Sequence, residues 1–275
     1  MSRFKRVCDA TRFVAVLTVG LLELFGMSAS QADPALGPAE KFFATQPTAL
    51  VRAALAEDIS QVRKLVASGV NPNSHGPRSD DKNTPQITLL GYAISQRSEA
   101  ALRLLIQAGA DPLFVPRAGD GNVFVFTIVR KDSAMLDALY RAWPIAKIPA
   151  KTQSRNAVSA LGFDCTACLQ VMFKHGVPVG VQDERGYNLF MAAMSREDFD
   201  TAEWLLKDMA IPLDAETVRG VNSANYLQDD LVRYGPGTPT HDWLLRLQAV
   251  MQSRGVIFPV PTIKQRQQAL GIKPL

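Results

Sequence analysis

Apolar residues along this chain recur at helical spacing in short runs, and turn signals separate the runs. The segments 98–107, 133–140 and 199–207 each have this spacing, which predicts amphipathic α-helices. Two runs end in the related sequences LVASGVNP, at 65–72, and LIQAGADP, at 105–112. A glycine directly after an apolar run is typical of a helix that ends with a left-handed residue. The pattern therefore predicts short helices separated by turns that contain glycine and proline.

The helix-and-turn unit returns at a nearly regular spacing. Aligned on the glycine or its counterpart, the copies fall at positions 69, 109, 143, 176, 209 and 255, with steps of 40, 34, 33, 33 and 46 residues. The longer steps contain the insertion 74–83 and the turn 235–237. A second, shorter helix precedes each of these helices. A two-helix unit of about 33 residues cannot bury its apolar face alone, so we expect neighbouring copies to stack. The residues expected to seal the copies against one another are Leu104, Leu105, Val171, Phe173, Trp204 and Leu205.

With these motifs the chain resembles the ankyrin-repeat family, in a form suited to a secreted or periplasmic bacterial protein. The resemblance is carried by Gly69–Pro72, Gly109–Pro112, the Thr-x-Leu-x-x-Ala of Thr88–Ala93 and the Asp-x-x-Gly of Asp183–Gly186. It implies an all-α, ankyrin-like solenoid of about six helix-turn-helix repeats with degenerate terminal repeats. The full Thr-Pro-Leu-His signature does not occur, and another α-solenoid is the alternative fold.

The first 32 residues have the order of a secretory signal peptide. A basic segment precedes an apolar run of 13 residues, 13–25, and small residues follow it up to Ala32. A membrane span needs about 20 apolar residues, so we expect cleavage near Ala32 and a periplasmic or secreted mature protein. The alternative is an uncleaved leader that anchors the protein at the inner membrane through residues 13–25. Only in that case do we expect the protein to bind a membrane.

The rest of the chain divides into three predicted segments. Residues 33–47 form an N-terminal cap or linker, 48–258 the ankyrin-repeat domain and 259–275 a C-terminal capping tail. Within the two ends, we expect 39–44 and 263–270 to form the caps themselves. Terminal repeats need such caps because their outer faces meet water.

Charge argues against nucleic acid as a partner. The chain has 275 residues and a net charge of +4, with 30 basic and 26 acidic residues. Residues 1–32 contain four of the basic and two of the acidic residues, which leaves 26 and 24 in the remainder. Phosphate binding needs clustered Lys and Arg, and a body this close to neutral does not favour it.

Two cysteines remain if the leader, with Cys8, is removed. Cys165 and Cys168 form an even pair in an oxidising compartment, which favours a structural pair, either a disulfide or two buried thiols. Their C-x-x-C spacing, with a helix predicted to begin near Thr166, also suits thiol-disulfide exchange. A redox role of this pair on a repeat scaffold is the alternative function.

The chain has no motif that predicts catalysis, and we expect no enzyme activity. A nucleophile elbow and a phosphate-binding glycine loop are both missing from the sequence. The carboxylate pairs Asp80–Asp81 and Asp229–Asp230 lie in polar stretches, where we expect both to be solvated and neither pKa to rise above the other. Zinc needs four ligands, and the candidates beside the cysteines are only His75, His175 and His241. We therefore expect no metal, cofactor or small-molecule substrate.

The resemblance implies a protein-binding module, because ankyrin-like solenoids present hairpin tips and a concave face of first helices to a protein partner. The sequence leaves the identity of that partner open. The tips map to Arg117, Asp120 and Asn122, between the second and third copies, and to Glu184, Arg185, Tyr187 and Asn188, before the fifth. We expect Tyr187 to be the anchor, because an exposed aromatic ring flanked by charges has the make-up of an interface hot spot. A solvated hairpin is the alternative for any one of these residues.

Overall fold

The computed structural model describes residues 36–77, 86–117 and 120–273. The helices are α1 (Thr45–Leu55), α2 (Ile59–Ala67), α3 (Leu89–Ser95), α4 (Glu99–Gln107), α5 (Val123–Val129), α6 (Ser133–Ala142), α7 (Ala150–Gly162), α8 (Thr166–Lys174), α9 (Leu189–Met194), α10 (Phe199–Lys207), α11 (Ser223–Arg233), α12 (Pro239–Ser253) and α13 (Ile263–Ala269). Short 3₁₀ helices lie at Ala39–Lys41 and Ile145–Lys147, and the two-residue strands β1 (His75–Gly76) and β2 (Ile87–Thr88) pair antiparallel. The predicted leader, with Cys8, and the pair Asp80–Asp81 lie outside the described residues.

Twelve of these helices form six consecutive pairs, α1/α2 to α11/α12. The number agrees with the six copies predicted from the spacing. The described residues divide into two compact units, one within Met1–Trp143 and the other within Pro144–Leu275, and each unit contains three of the pairs. We call the pairs repeats one to six.

In five of the six repeats, the turn between the two helices has the same design. A non-glycine residue in the left-handed conformation is followed by a residue whose side chain accepts a hydrogen bond from the backbone N–H three positions later. These dipeptides are Glu57-Asp58, Arg97-Ser98, Lys131-Asp132, Asp164-Cys165 and Glu197-Asp198. The second residue thus caps the second helix and satisfies one of the N–H groups that a helix start leaves free.

Glycines end the second helices of four repeats, as predicted. Gly69, Gly109, Gly176 and Gly255 have φ between 90° and 100°, which a residue without a Cβ adopts at no steric cost. The other two predicted positions differ. Trp143 is extended because it precedes a proline, which disfavours helical backbone in the preceding residue. In repeat five the left-handed residue is Ala210, one position later than predicted.

The core of each unit consists of apolar side chains between the stacked helices. Leu104 and Leu105 of α4 and Leu205 of α10 are buried, as predicted. Phe173 of α8 and Trp204 of α10 are only half-buried, but their rings stack with centroids 5.9 Å apart. Within a unit, apolar and aromatic contacts of this kind hold successive repeats together.

The two ends of the described chain pack against the repeats beside them. At the N-terminal end, Phe43 is buried beside Tyr92, whose hydroxyl donates to the carbonyl of Gly37 at 2.9 Å. At the C-terminal end, the amide of Asn225 donates to the carbonyl of Pro261 at 2.8 Å, and Arg266 of α13 forms an ion pair with Glu216 at 2.9 Å. These contacts join the terminal segments to the neighbouring repeats.

Candidate protein-binding surface

The turn before repeat five is a closed hairpin. Gln182 and Asn188 form an antiparallel bridge across its base. Inside it, the carboxylate of Asp183 accepts hydrogen bonds from the backbone N–H groups of Arg185 and Tyr187, both at 2.8 Å. An Asp that bonds the backbone two residues on stabilises a turn in this way. Hydrogen bonds within its own sequence therefore stabilise the hairpin.

The hairpin also packs tightly against the segment before α11. Gly186 has φ +82°, and a Cβ at this position would come within 2.7 Å of the Cα of Thr217. The N–H of Val218 donates to the carbonyl of Arg185 at 2.9 Å, and the side chain of Val218 remains 73% exposed. The contact explains why only glycine fits at position 186.

Arg185, Tyr187 and Tyr226 form a cluster at the side of the hairpin. The guanidinium of Arg185 lies 5.2 Å from the centre of the Tyr187 ring, and that ring meets Tyr226 of α11 edge to face at 6.0 Å. Burial raises the pKa of Tyr226 to about 12. Tyr187 is half-buried rather than fully exposed, and its ring is pre-oriented between its two neighbours.

Glu184 is the most exposed acidic group of the hairpin. Its carboxylate lies 2.8 Å from the ammonium of Lys151 and 3.8 Å from the guanidinium of Arg155, both on α7, and the three side chains are 66% to 71% exposed. The hydrogen bond and charge of Lys151 lower the pKa of Glu184. Ion pairs this exposed contribute little to stability, so these charges remain available to a partner.

Asn188 lies away from the surface. It is fully buried: its side-chain oxygen accepts from the N–H of Met191, and its amide donates to the hydroxyl of Ser223 at 2.8 Å. Asn188 therefore caps α9 and links repeat five to repeat six. Because it is buried, Asn188 is not accessible to a partner at the predicted surface. Its role is that of a helix N-cap, for which Asn is a preferred residue.

The predicted tip between repeats two and three lies in the other unit. Arg117 and Asp120 form an ion pair at 3.4 Å, with side chains 31% and 18% exposed. Asn122 caps α5 by accepting from the N–H groups of Phe124 and Val125. These residues thus have structural contacts of their own, and the hairpin before repeat five is the more accessible of the two predicted tips.

The sequence did not predict three residues that contact the hairpin, namely Lys151, Arg155 and Tyr226. Lys151 and Arg155 are four positions apart on α7, so they lie on the same face of that helix. Their spacing is visible in the sequence, but their proximity to Glu184 depends on how repeats four and five stack.

The cysteine pair forms a disulfide in this structure. Cys165 is 4% exposed and Cys168 is fully buried. One of the two structural states expected for the pair, the disulfide, is the one observed. Attack by an external thiolate needs access to a sulfur atom, and this burial does not favour an exchange role.

The expectation that Asp229 and Asp230 are both solvated is wrong for Asp230. Its residue exposure is 7%, and burial raises its pKa to about 6, although Arg233 at 3.3 Å acts in the opposite direction. The polar local sequence concealed this burial, because α11 turns this carboxyl toward the body of the unit.

The described ranges hold neither a candidate metal cluster nor a candidate membrane span. Among residues 36–77, 86–117 and 120–273, no three or more His, Cys, Asp and Glu side chains come together as a metal-binding group. Within the same residues, no helix has the length and apolar character that a membrane crossing requires.

The fold was compared with known proteins. No protein-family model and no curated protein sequence matches the chain. Among solved structures, it is similar to the ankyrin repeat domain of Bcl-3, a unique member of the IkappaB protein family, with a TM-score of 0.57 and 17% identity over 79% of this chain and 90% of that one. The ankyrin repeat domain of human ASB11 aligns with a TM-score of 0.48 and 14% identity over 87% of this chain and 97% of that one. At such identities, the likeness to the Bcl-3 domain concerns the fold.

Proposed function

The chain has the ankyrin-repeat fold that its repeats predict, and we propose on this basis that it is a non-enzymatic protein-binding module acting in the periplasm or outside the cell. The partner contacts the hairpin 183–187 and the first helices beside it, α7 and α11. Repeat folds of this kind expose extended surfaces to other proteins.

The observation that carries the proposal is the pre-organised cluster of Arg185, Tyr187 and Tyr226. It lies next to an exposed apolar side chain, Val218, and an exposed charge, Glu184. Tyr and Arg are the residue types enriched at binding hot spots. Their rotamers are already restrained by the ring contacts, so binding costs less side-chain entropy. Val218 adds an exposed apolar side chain and Glu184 a charge that accepts a basic group of the partner.

The location outside the cytoplasm rests on the leader pattern of residues 1–32. The Cys165–Cys168 disulfide is consistent with it, because disulfides persist in oxidising compartments. Anchoring through residues 13–25 is the alternative location.

Crosslinking and affinity capture from the native cell envelope test this function. We expect wild-type protein to retain one partner and the double variant Arg185→Ala/Tyr187→Ala to lose it. Lys264→Ala, at an exposed lysine of α13 in the same unit, is the matched control and should bind as wild type does. Circular dichroism of each variant establishes that it is folded. Equal capture by all three proteins contradicts the assignment of this surface.

A further inference from the structure

The disulfide occupies a position that has a defined role in the other repeats. In repeats one, two, three and five the second helix is capped by the oxygen of an Asp or Ser, which accepts from the backbone N–H three residues later at 2.9–3.2 Å. In repeat four the capping residue is Cys165, and its Sγ accepts from the N–H of Cys168 at 3.2 Å. Sulfur is a weak hydrogen-bond acceptor. Repeat four therefore has the weakest acceptor at this position among the five turns of common design.

The covalent bond joins the same two residues that the cap hydrogen bond joins elsewhere. The disulfide links Cys165, directly before α8, to Cys168 in the first turn of the helix. It holds this first turn closed by a covalent link instead of an oxygen cap. Because a helix start fixes several residues for few hydrogen bonds, a link at this point acts where the helix is most easily opened.

The start of α8 also contacts the next repeat. Asp164, the left-handed residue of the turn, forms an ion pair with Arg196 at 2.8 Å. Thr166, the first residue of α8, has its hydroxyl 3.1 Å from the hydroxyl of Thr201 at the start of α10. A change at the cap of α8 therefore reaches the interface between repeats four and five.

We propose that the Cys165–Cys168 disulfide is a covalent helix cap, and that its reduction loosens the start of α8 and the contact of repeat four with repeat five. The stability of the unit 144–275 then depends on the redox state of this pair. Because both cysteines are buried, the reaction proceeds when the start of α8 opens and a sulfur atom becomes accessible. A dithiol reductant then transfers two electrons to the S–S bond, which breaks. Each sulfur gains a proton, and the reductant becomes a disulfide. The proposal is independent of partner binding.

The test uses the full chain with Cys8→Ser, which leaves this pair as the only cysteines. After oxidation, alkylating reagent should label neither sulfur of the denatured protein. If both thiols are still alkylated after the oxidising treatment, the pair does not form a disulfide and the proposal is overturned. Addition of excess dithiothreitol, once mass spectrometry shows full reduction, should lower the melting temperature by about 3–8 °C. Hydrogen exchange should become faster in residues 166–174 and stay unchanged in α2 and α4.

Two variants without the disulfide test whether a cap at position 165 stabilises the protein. Cys165→Asp/Cys168→Ala restores the oxygen cap of the other repeats, whereas Cys165→Ala/Cys168→Ala removes every cap. We expect the Asp variant to melt above the Ala variant and neither to respond to dithiothreitol. Equal melting temperatures of the two variants, or unchanged melting and exchange of the reduced parent protein, overturn the proposal. If a variant does not fold, the reduced parent protein decides alone.

Discussion

At the residue scale, Gly109 shows how one backbone conformation limits the choice of side chain. Its φ is +100°, and an added Cβ would meet only the ring of Pro72, at 4.0 Å. Substitution is therefore limited by backbone strain and not by lack of space. Left-handed backbone costs an L-residue about 1–2 kcal/mol, and a β-branched side chain adds to this cost.

We expect Gly109→Val to lower the free energy of unfolding by at least about 1 kcal/mol, as measured by denaturant titration. Gly162→Ala is the control: Gly162 lies at the end of α7, and nothing stands within 4 Å of the added Cβ. That change should leave stability equal or slightly higher, because Ala is the better helix former. Unchanged stability of Gly109→Val contradicts the assigned role of the glycine.

Asp230 is a residue whose charge depends on the fold. With a folded-state pKa of about 6 and an unfolded value of about 4, the folded protein holds a proton between these pH values that the unfolded chain releases. The group therefore favours the folded state at low pH and penalises it as pH rises through about 6. Arg233 offsets part of the penalty.

We expect Asp230→Asn to raise the free energy of unfolding by on the order of 1 kcal/mol at neutral pH and to change it little at about pH 4. The comparison at two pH values isolates this group from the other carboxylates. Asp229→Asn, at the neighbouring acidic residue, should not show the same gain at neutral pH. A gain of equal size at both pH values for Asp230→Asn contradicts a raised pKa of this carboxyl in the folded state.

At the element scale, the recurring turn between paired helices stores strain at its first residue. Lys131 has φ +52° and is exposed, so its side chain does not require this conformation. The following Asp132 caps α6 through the N–H of Met135. The turn keeps a strained residue because the cap and the helix packing on both sides hold it there.

We therefore expect Lys131→Gly to raise stability by about 0.5–1 kcal/mol, since relief of the left-handed strain exceeds the added entropy of the unfolded chain. Lys131→Ala keeps the strain and removes the charge, and it should give no such gain. The measurement is the free energy of unfolding of the three proteins under one set of conditions. A larger gain from Ala than from Gly points to the charge and not to the backbone.

The hairpin before repeat five shows how much of a candidate site the sequence contains. The Asp-x-x-Gly motif predicts the turn itself, because Asp bonds the backbone and glycine takes the left-handed position. The burial of Asn188 and the position of Tyr226 beside Tyr187 could not be predicted. Both depend on how repeats five and six stack, and residues 35 or more positions apart have no local signal in common.

At the scale of the whole molecule, the predicted leader is the basis of the location that we propose for this protein. We expect the mature chain in its native cell to begin at Asp33, as determined by mass spectrometry of the N-terminus, because small residues precede this position. Ala32→Leu, which removes the small residue before the cleavage site, should retain the leader and leave the protein with the membrane fraction. A wild-type N-terminus at Met1 in the membrane fraction supports the anchored alternative instead.

The repeat spacing, the six helix pairs and the glycines that end four of the second helices could all be predicted from the sequence alone. These features are local, since helical periodicity and left-handed glycine are set by residues close together in the chain. The disulfide was one of two structural outcomes that the sequence left open for the cysteine pair.

The division of polar side chains between surface and interior, in contrast, became visible only in the folded protein. Asn188 and Asp230 are polar and buried, whereas Val218 is apolar and 73% exposed. The stacking of repeats also brought Lys151 to Glu184, and the fold showed that Cys165 takes the place of an Asp or Ser cap. The physical reason is that burial and proximity between repeats depend on packing across the stack, which the local pattern of each repeat does not specify.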